Sequence, residues 1–143
     1  MLYLDTSALL KLYIREDGSD LVQSRISSQA HPLPIWEIQE AELVNAMRLK
    51  VFWKEITLEQ ADTQITLFQN RRKRGLYFFP DIDRISLMQR FHQLSIQTPH
   101  LGCRTMDILH VACALEIGAT QFLTFDQRQQ SLATQAGLTS SPP

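Results

Sequence analysis

Short apolar runs alternate with longer stretches of helical period along this chain. Met1-Leu2-Tyr3-Leu4 is apolar and stops at Asp5, the pattern of a short buried strand. Thr6-Ser7 offers an N-cap for a helix through Ala8 to Tyr13, and Asp17-Gly18-Ser19 breaks the chain before a second helix over 20–29. Pro32-Leu33-Pro34-Ile35 reads as a short extended piece whose prolines suit an edge or terminal strand. Helices follow over 37–54 and from Thr57 to about 73. The latter opens with a capping box of Thr57 and Gln60 and turns Ala61, Ile65, Leu67 and Phe68 inward. Leu76-Tyr77-Phe78-Phe79 reads as a short strand or an irregular segment, and 83–97 as helix with Leu87, Phe91 and Leu94 on one face. Residues 98–102 read as a loop, and Thr105 caps a helix over 106–117 that Gly118 ends. Thr120 to Phe125 is a strand ending at Asp126, and a last helix over 127–136 stops at Gly137.

Strands separated by helices imply βαβ units and a parallel sheet covered on both faces. Right-handed crossovers put every strand C-terminus on one edge, where open parallel sheets bind their ligands. Asp5 and Asp126 both fall at strand C-termini, so this topology places the two on the same edge.

Length and composition narrow the class. The 143 residues fit one domain, expected over 1–139, with Ser140-Ser141-Pro142-Pro143 as a flexible tail. Hydrophobic content of 44% and charged content of 20% are those of an ordinary globular protein. The net charge of −1 means that any nucleic-acid binding must come from a local basic patch and from metal. Two cysteines, Cys103 and Cys113, make no disulfide framework and point to a reducing, cytoplasmic compartment. The N-terminus does not read as a signal peptide, and no run reaches the length of a membrane span.

Candidate chemistry lies with four acids: Asp5, Glu42, Asp107 and Asp126. Carboxylates grouped without a Cys or His pattern suit a hard divalent cation such as Mg²⁺ or Mn²⁺, which takes oxygen ligands and retains waters. Such an ion activates water and stabilises a leaving oxygen in phosphodiester hydrolysis. Each acid also has a bland role. Asp5 and Asp126 suit helix caps, Asp107 favours the positive end of its helix, and Glu42 sits beside Glu37 and Glu40 on an acidic face. Small Ala46 and apolar Leu43, Val44 and Met47 favour an inward Glu42. Ser7 and Thr124 are placed to hydrogen-bond carboxylates or waters. His110, three residues after Asp107, reads as a packing or hydrogen-bonding residue before a metal ligand. Arg71-Arg72-Lys73-Arg74 is the dense basic run, and it suits either a helix C-terminus or phosphate contact. Trp36, Trp53, Phe78 and Phe79 read as core or dimer contacts, and the cysteines as small hydrophobes.

These residues resemble a known family. Leu4-Asp5-Thr6-Ser7-Ala8-Leu9 is similar to the opening motif of PIN-domain ribonucleases, and Glu42-Leu43-Val44-Asn45-Ala46 to their central Glu-x-x-x-Ala helix. The stretch from Arg104 to Ala112, with Asp107, and Leu123-Thr124-Phe125-Asp126-Gln127-Arg128 resemble the third and fourth acidic motifs. Four motifs in order cover essentially the whole chain. Within the family, a short single-domain chain looks most like the VapC-type toxins of type II toxin–antitoxin pairs. That resemblance implies a three-layer α/β/α sandwich with a parallel sheet of four or five short strands. It also implies Mg²⁺- or Mn²⁺-dependent endoribonuclease activity at Asp5, Glu42, Asp107 and Asp126, a homodimer, and an antitoxin that offers Arg or Lys to the acidic pocket.

Other α/β acid-pocket proteins fit less well. A haloacid-dehalogenase-type phosphatase wants a second Asp where Ser7 stands, and a receiver domain wants an Asp after a mid-chain strand, which is missing between about 45 and 75. The alternative that stays open is a PIN-fold binding module with little or no nuclease activity.

Overall fold

Leu2, Tyr3 and Leu4 have too little polar surface to remain in water, and they form β1 (Leu2–Leu4), buried on both faces. The computed structural model of the protein describes residues 1–141. In chain order there follow α1 (Thr6–Leu10), α2 (Ser19–Ser27), β2 (Leu33–Pro34), α3 (Glu37–Phe52), α4 (Leu58–Lys73) and β3 (Tyr77–Phe78). Then come α5 (Arg84–Ser95), α6 (Thr98–Leu101), α7 (Thr105–Glu116), β4 (Gln121–Leu123), α8 (Gln127–Gln135) and β5 (Thr139–Ser141). The fold is α/β, and every strand pairing is parallel. Among the described residues the five short strands form a three-stranded ladder of order β1-β4-β5 and a two-stranded ladder, β2-β3. None of the helices among the described residues is long and apolar enough to cross a membrane.

The chain divides into two compact units: residues 1–7 with those from 80 onward, and residues 8–79. In the first unit β4 is the central strand, with Leu2 opposite Gln121 and Leu4 opposite Leu123. Phe122 of β4 is fully buried and stacks on Tyr3, with ring centroids 5.5 Å apart and planes 10° from parallel. Helix α7 buries Ile108 and the run His110 to Ala114, and it packs against α5 and α8. Residues 98–102, expected as a loop, contain the helical turn α6. Pro99 in its first turn lacks an N–H that would be unpaired there anyway, and Gly102 closes it in the left-handed region at φ 68°. Ser140 and Ser141, expected as a flexible tail, belong to β5, with Phe122 opposite Ser140 and Leu123 opposite Ser141. Parallel pairing is made by backbone groups, so polar side chains do not prevent it. The rest of the expected tail, Pro142 and Pro143, lies outside the described residues.

In the second unit α3 and α4 pack together, with Leu43 and Met47 buried on one and Ala61, Ile65 and Phe68 on the other. Leu67, expected inward, is 37% exposed, since it lies about 100° round the helix from Phe68. The expected capping box is present: Gln60 N–H donates to Thr57 Oγ1 at 3.1 Å, and Thr57 N–H to Gln60 Oε1 at 2.8 Å. Pro34 sits in β2 without harm because the ladder donors are its neighbours, Leu33 N–H to Leu76 O and Ile35 N–H to Phe78 O. Arg72 donates to both oxygens of Glu40 at 2.6 and 2.7 Å and stands 5.5 Å from the Phe79 ring. Arg71 lies 5.0 Å over the Tyr13 ring, so half of the basic run is engaged within its own unit.

A charge network ties the ends of this unit's elements together. Glu16 accepts from Lys11 at 2.8 Å and meets Lys50 at 3.1 Å, and Lys50 also meets Glu55 at 2.6 Å. Burial pushes the Glu16 carboxyl up, but Lys11 and Lys50 outweigh it and hold the group below its ordinary value. The stability this adds is complete above the unfolded-state value and is lost as pH falls through the lowered folded value. Glu16→Gln should therefore lower Tm at neutral pH and flatten the acid limb of the Tm–pH curve below 4.5, the ordinary glutamate value. Superimposable acid limbs in thermal melts of the two proteins would show that the network adds nothing.

Candidate active site at the sheet edge

Parallel pairing of β1 with β4 sends both strands out of the sheet at the same edge. Asp5 follows β1 directly, and its N–H continues the ladder by donating to Leu123 O at 3.0 Å. This fixes the backbone of Asp5 beside Thr124. The Asp5 side chain, 5% exposed, accepts from Ser7 Oγ, which lies 2.8 Å from each carboxylate oxygen. Thr124 Oγ1 is 2.8 Å from Asp5 Oδ2. Both hydroxyl partners expected from the sequence are thus in contact with Asp5.

Two residues on, Asp126 caps α8. Its Oδ1 accepts from the N–H groups of Arg128 at 2.8 Å and Gln129 at 3.1 Å, while its own N–H donates to Thr124 Oγ1 at 3.0 Å. Asp107 lies in the first turn of α7, where Oδ2 accepts from Arg104 N–H at 2.8 Å and lies 3.4 Å from Arg104 Nε. The capping roles open to these residues are real, and they hold each carboxylate in a defined direction. Cys103 reports the local field. Burial first, then the charges of Asp107 and Asp126, push its thiol up, with Arg128 opposing. Both carboxylates therefore act on one buried sulfur.

His110, 3% exposed, has Nδ1 2.8 Å from Tyr3 Oη and Nε2 3.2 Å from Thr6 Oγ1. It fastens α7 to β1 and the start of α1, which is the hydrogen-bonding role the sequence favoured. Glu42 lies half-buried on α3 of the second unit. Its neighbour Glu40 is accounted for by the pair with Arg72.

Gln129 was missed by the sequence reading. It stands three residues after the cap Asp126, the position where a capping-box Gln is ordinary, so nothing in the local pattern singles it out. Its side chain is nonetheless buried against Thr124 and the Asp107 carbonyl.

The donor set at this edge is all oxygen, the kind that hard divalent cations take. Among the described residues no group of three or more His, Cys, Asp or Glu side chains is arranged to hold one ion. A cation here would rest on one or two carboxylates and complete its shell with water, as Mg²⁺ commonly does. In that sense the residues fit such an ion.

The match to the PIN domain model covers residues 2–135 and so runs through both units. Ribonuclease VapC46 of Mycobacterium tuberculosis (strain ATCC 25618 / H37Rv) is 25% identical over 144 residues, covering 99% of this chain and 97% of that protein. The solved structure of VapBC-1 from nontypeable Haemophilus influenzae superimposes with a TM-score of 0.65 at 17% identity, covering 99% of this chain and 98% of that one. With its parallel strands, its acidic sheet edge and a family match over nearly its whole length, the chain belongs to the PIN domain family.

Proposed function

We propose that the chain is a metal-dependent endoribonuclease serving as the toxin of a type II toxin–antitoxin pair. What carries this reading is the acidic edge of the first unit. The carboxylates of Asp5 and Asp126 and the backbone carbonyl of Asp107 meet there at Thr124 and Gln129. The similarity to Ribonuclease VapC46 over nearly the full chain supports RNA as the substrate.

In this reading Asp5, Asp107 and Asp126 would hold Mg²⁺ or Mn²⁺, one or two of them directly and the rest through water, and Glu42 would either add a ligand or orient the attacking water. The bound cation supplies Lewis-acid polarisation of the phosphodiester and a more acidic water. The protein's own part is positional. Ser7 and Thr124 keep the Asp5 carboxylate from rotating, and the cap of α8 keeps Asp126 beside it. Cleavage leaves a 3′-hydroxyl and a 5′-phosphate. A protein partner offering Arg or Lys would pair with these carboxylates through charge-assisted hydrogen bonds. Exposed Phe52, Trp53 and Leu58, around the α3–α4 turn, give the second unit an apolar surface suited to an antitoxin or to a second copy of the chain.

The test is cleavage of labelled RNA by the purified protein with Mn²⁺, with Mg²⁺ and with EDTA, alongside Asp5→Asn. Cleavage is expected with either metal and neither in EDTA nor in the variant. No cleavage under any condition by a folded, partner-free protein would replace this reading with that of a PIN-fold binding module.

A further inference from the structure

One buried residue links the segments that carry all three aspartates. Gln129 is 1% exposed. Its Oε1 lies 2.7 Å from Thr124 Oγ1, the hydroxyl that also lies 2.8 Å from Asp5 Oδ2. Its Nε2 donates to the backbone carbonyl of Asp107 at 3.1 Å, and its backbone N–H donates to Asp126 Oδ1 at 3.1 Å. The residue therefore meets Asp126 directly, Asp107 through its peptide group and Asp5 through Thr124.

This is not the usual use of the position. A Gln three residues after a helix cap normally folds back to accept from the cap's own N–H. Here the Asp126 N–H is taken by Thr124 Oγ1, and the amide turns into the interior instead. Burying an amide is costly unless its ends find partners: Nε2 donates to α7, and Oε1 shares with Asp5 Oδ2 the single proton of the Thr124 hydroxyl. Helix geometry already pairs the Asp107 carbonyl with the N–H four residues on, so the helix does not require this amide. Nor does the cap of α8 require it, because Asp126 holds that end through backbone N–H groups. What the side chain adds is a fixed distance between the start of α7 and the edge of the sheet.

We infer that Gln129 is a positioning residue that, with Thr124, sets the mutual placement of Asp5, Asp107 and Asp126 for a divalent cation. The inference rests on the reading of this edge as a cation site. Partners that orient metal-binding side chains commonly contribute about 10–100-fold to metal affinity.

Gln129→Met tests it. Met matches Gln in length and helix propensity and retains the backbone N–H to Asp126, while both side-chain hydrogen bonds are lost. The single Thr124 proton, no longer shared with Gln129, can go wholly to Asp5, so the metal-free protein should melt within a few degrees of wild type. Titration of the whole chain with Mn²⁺ alone, followed by calorimetry and by the Mn²⁺-induced rise in Tm, should show affinity weakened about 10–100-fold. In cleavage assays kcat at fixed Mn²⁺ should fall while KM for RNA stays put. Thr124→Val breaks the same chain at its next bond, and the double variant should lose less than the product of the two single losses. Mn²⁺ affinity within twofold of wild type in Gln129→Met, or single losses that multiply in full, would overturn the inference and leave the cation site standing. A wild-type protein that binds no Mn²⁺ would remove the cation site and the inference together.

Discussion

Asp107→Asn is expected to abolish metal-dependent RNA cleavage while the protein stays folded. The asparagine Oδ1 can accept the Arg104 N–H that Asp107 Oδ2 now accepts at 2.8 Å, so the first turn of α7 keeps its cap. What disappears is the negative charge. Its loss at a helix N-terminus costs about 0.3–1 kcal/mol, a shift in Tm of a few degrees at most for a chain of this size. The loss at the reacting centre is far larger, at least about 100-fold in rate, the scale set by removing one positioned electrostatic group. Single-turnover cleavage with Mn²⁺, compared with thermal melts of the same samples, separates the two effects. A variant that cleaves like wild type would take Asp107 out of the site.

The largest effect on stability is expected from Phe122→Ala. Phe122 is the middle residue of the central strand of its ladder, fully buried and stacked on Tyr3. Truncating a buried Phe to Ala costs about 3–5 kcal/mol, because transfer energy and packing around the vacated volume are lost together. That is a large share of the roughly 5–15 kcal/mol that holds a typical domain folded. Tm should fall by roughly 10–15 °C. The change also reaches the acidic edge, because Tyr3 carries the hydroxyl that meets His110 Nδ1 and so helps to seat α7. A fall in Tm below about 3 °C would mean that the site can collapse around the missing ring far better than close packing allows.

Where the physics is local, residue order predicted the structure well. The apolar runs at Leu2-Tyr3-Leu4 and Phe122-Leu123 became buried strands, and the Thr57–Gln60 pair opened α4 at the expected residue. Asp5 and Asp126 could be assigned to one edge because parallel topology leaves few alternatives. The failures share a cause. Four residues of α6 are too few to display a period, and β5 is made of hydroxyl side chains whose pairing is invisible in hydropathy. Gln129 is the same problem at the site. Its neighbours in sequence explain it as part of a cap, whereas its partners Thr124 and Asp107 reach it through the fold. Ser7 and Thr124 were easier to anticipate because each lies within two residues of an acid.

The pairing of β1 with β4 also has a consequence for synthesis. The Asp5 carboxylate and the Thr124 hydroxyl that orients it are 119 residues apart in the chain. On the ribosome the N-terminal strand emerges early and must wait for its partner, while helical segments closer together in sequence can form first. An incomplete chain that stops before β4 has neither the strand that carries Thr124 nor the cap at Asp126, so its aspartates cannot be assembled. The acidic edge is thus an all-or-none assembly that cannot form until the strand leading to Thr124 and the cap at Asp126 have both been translated.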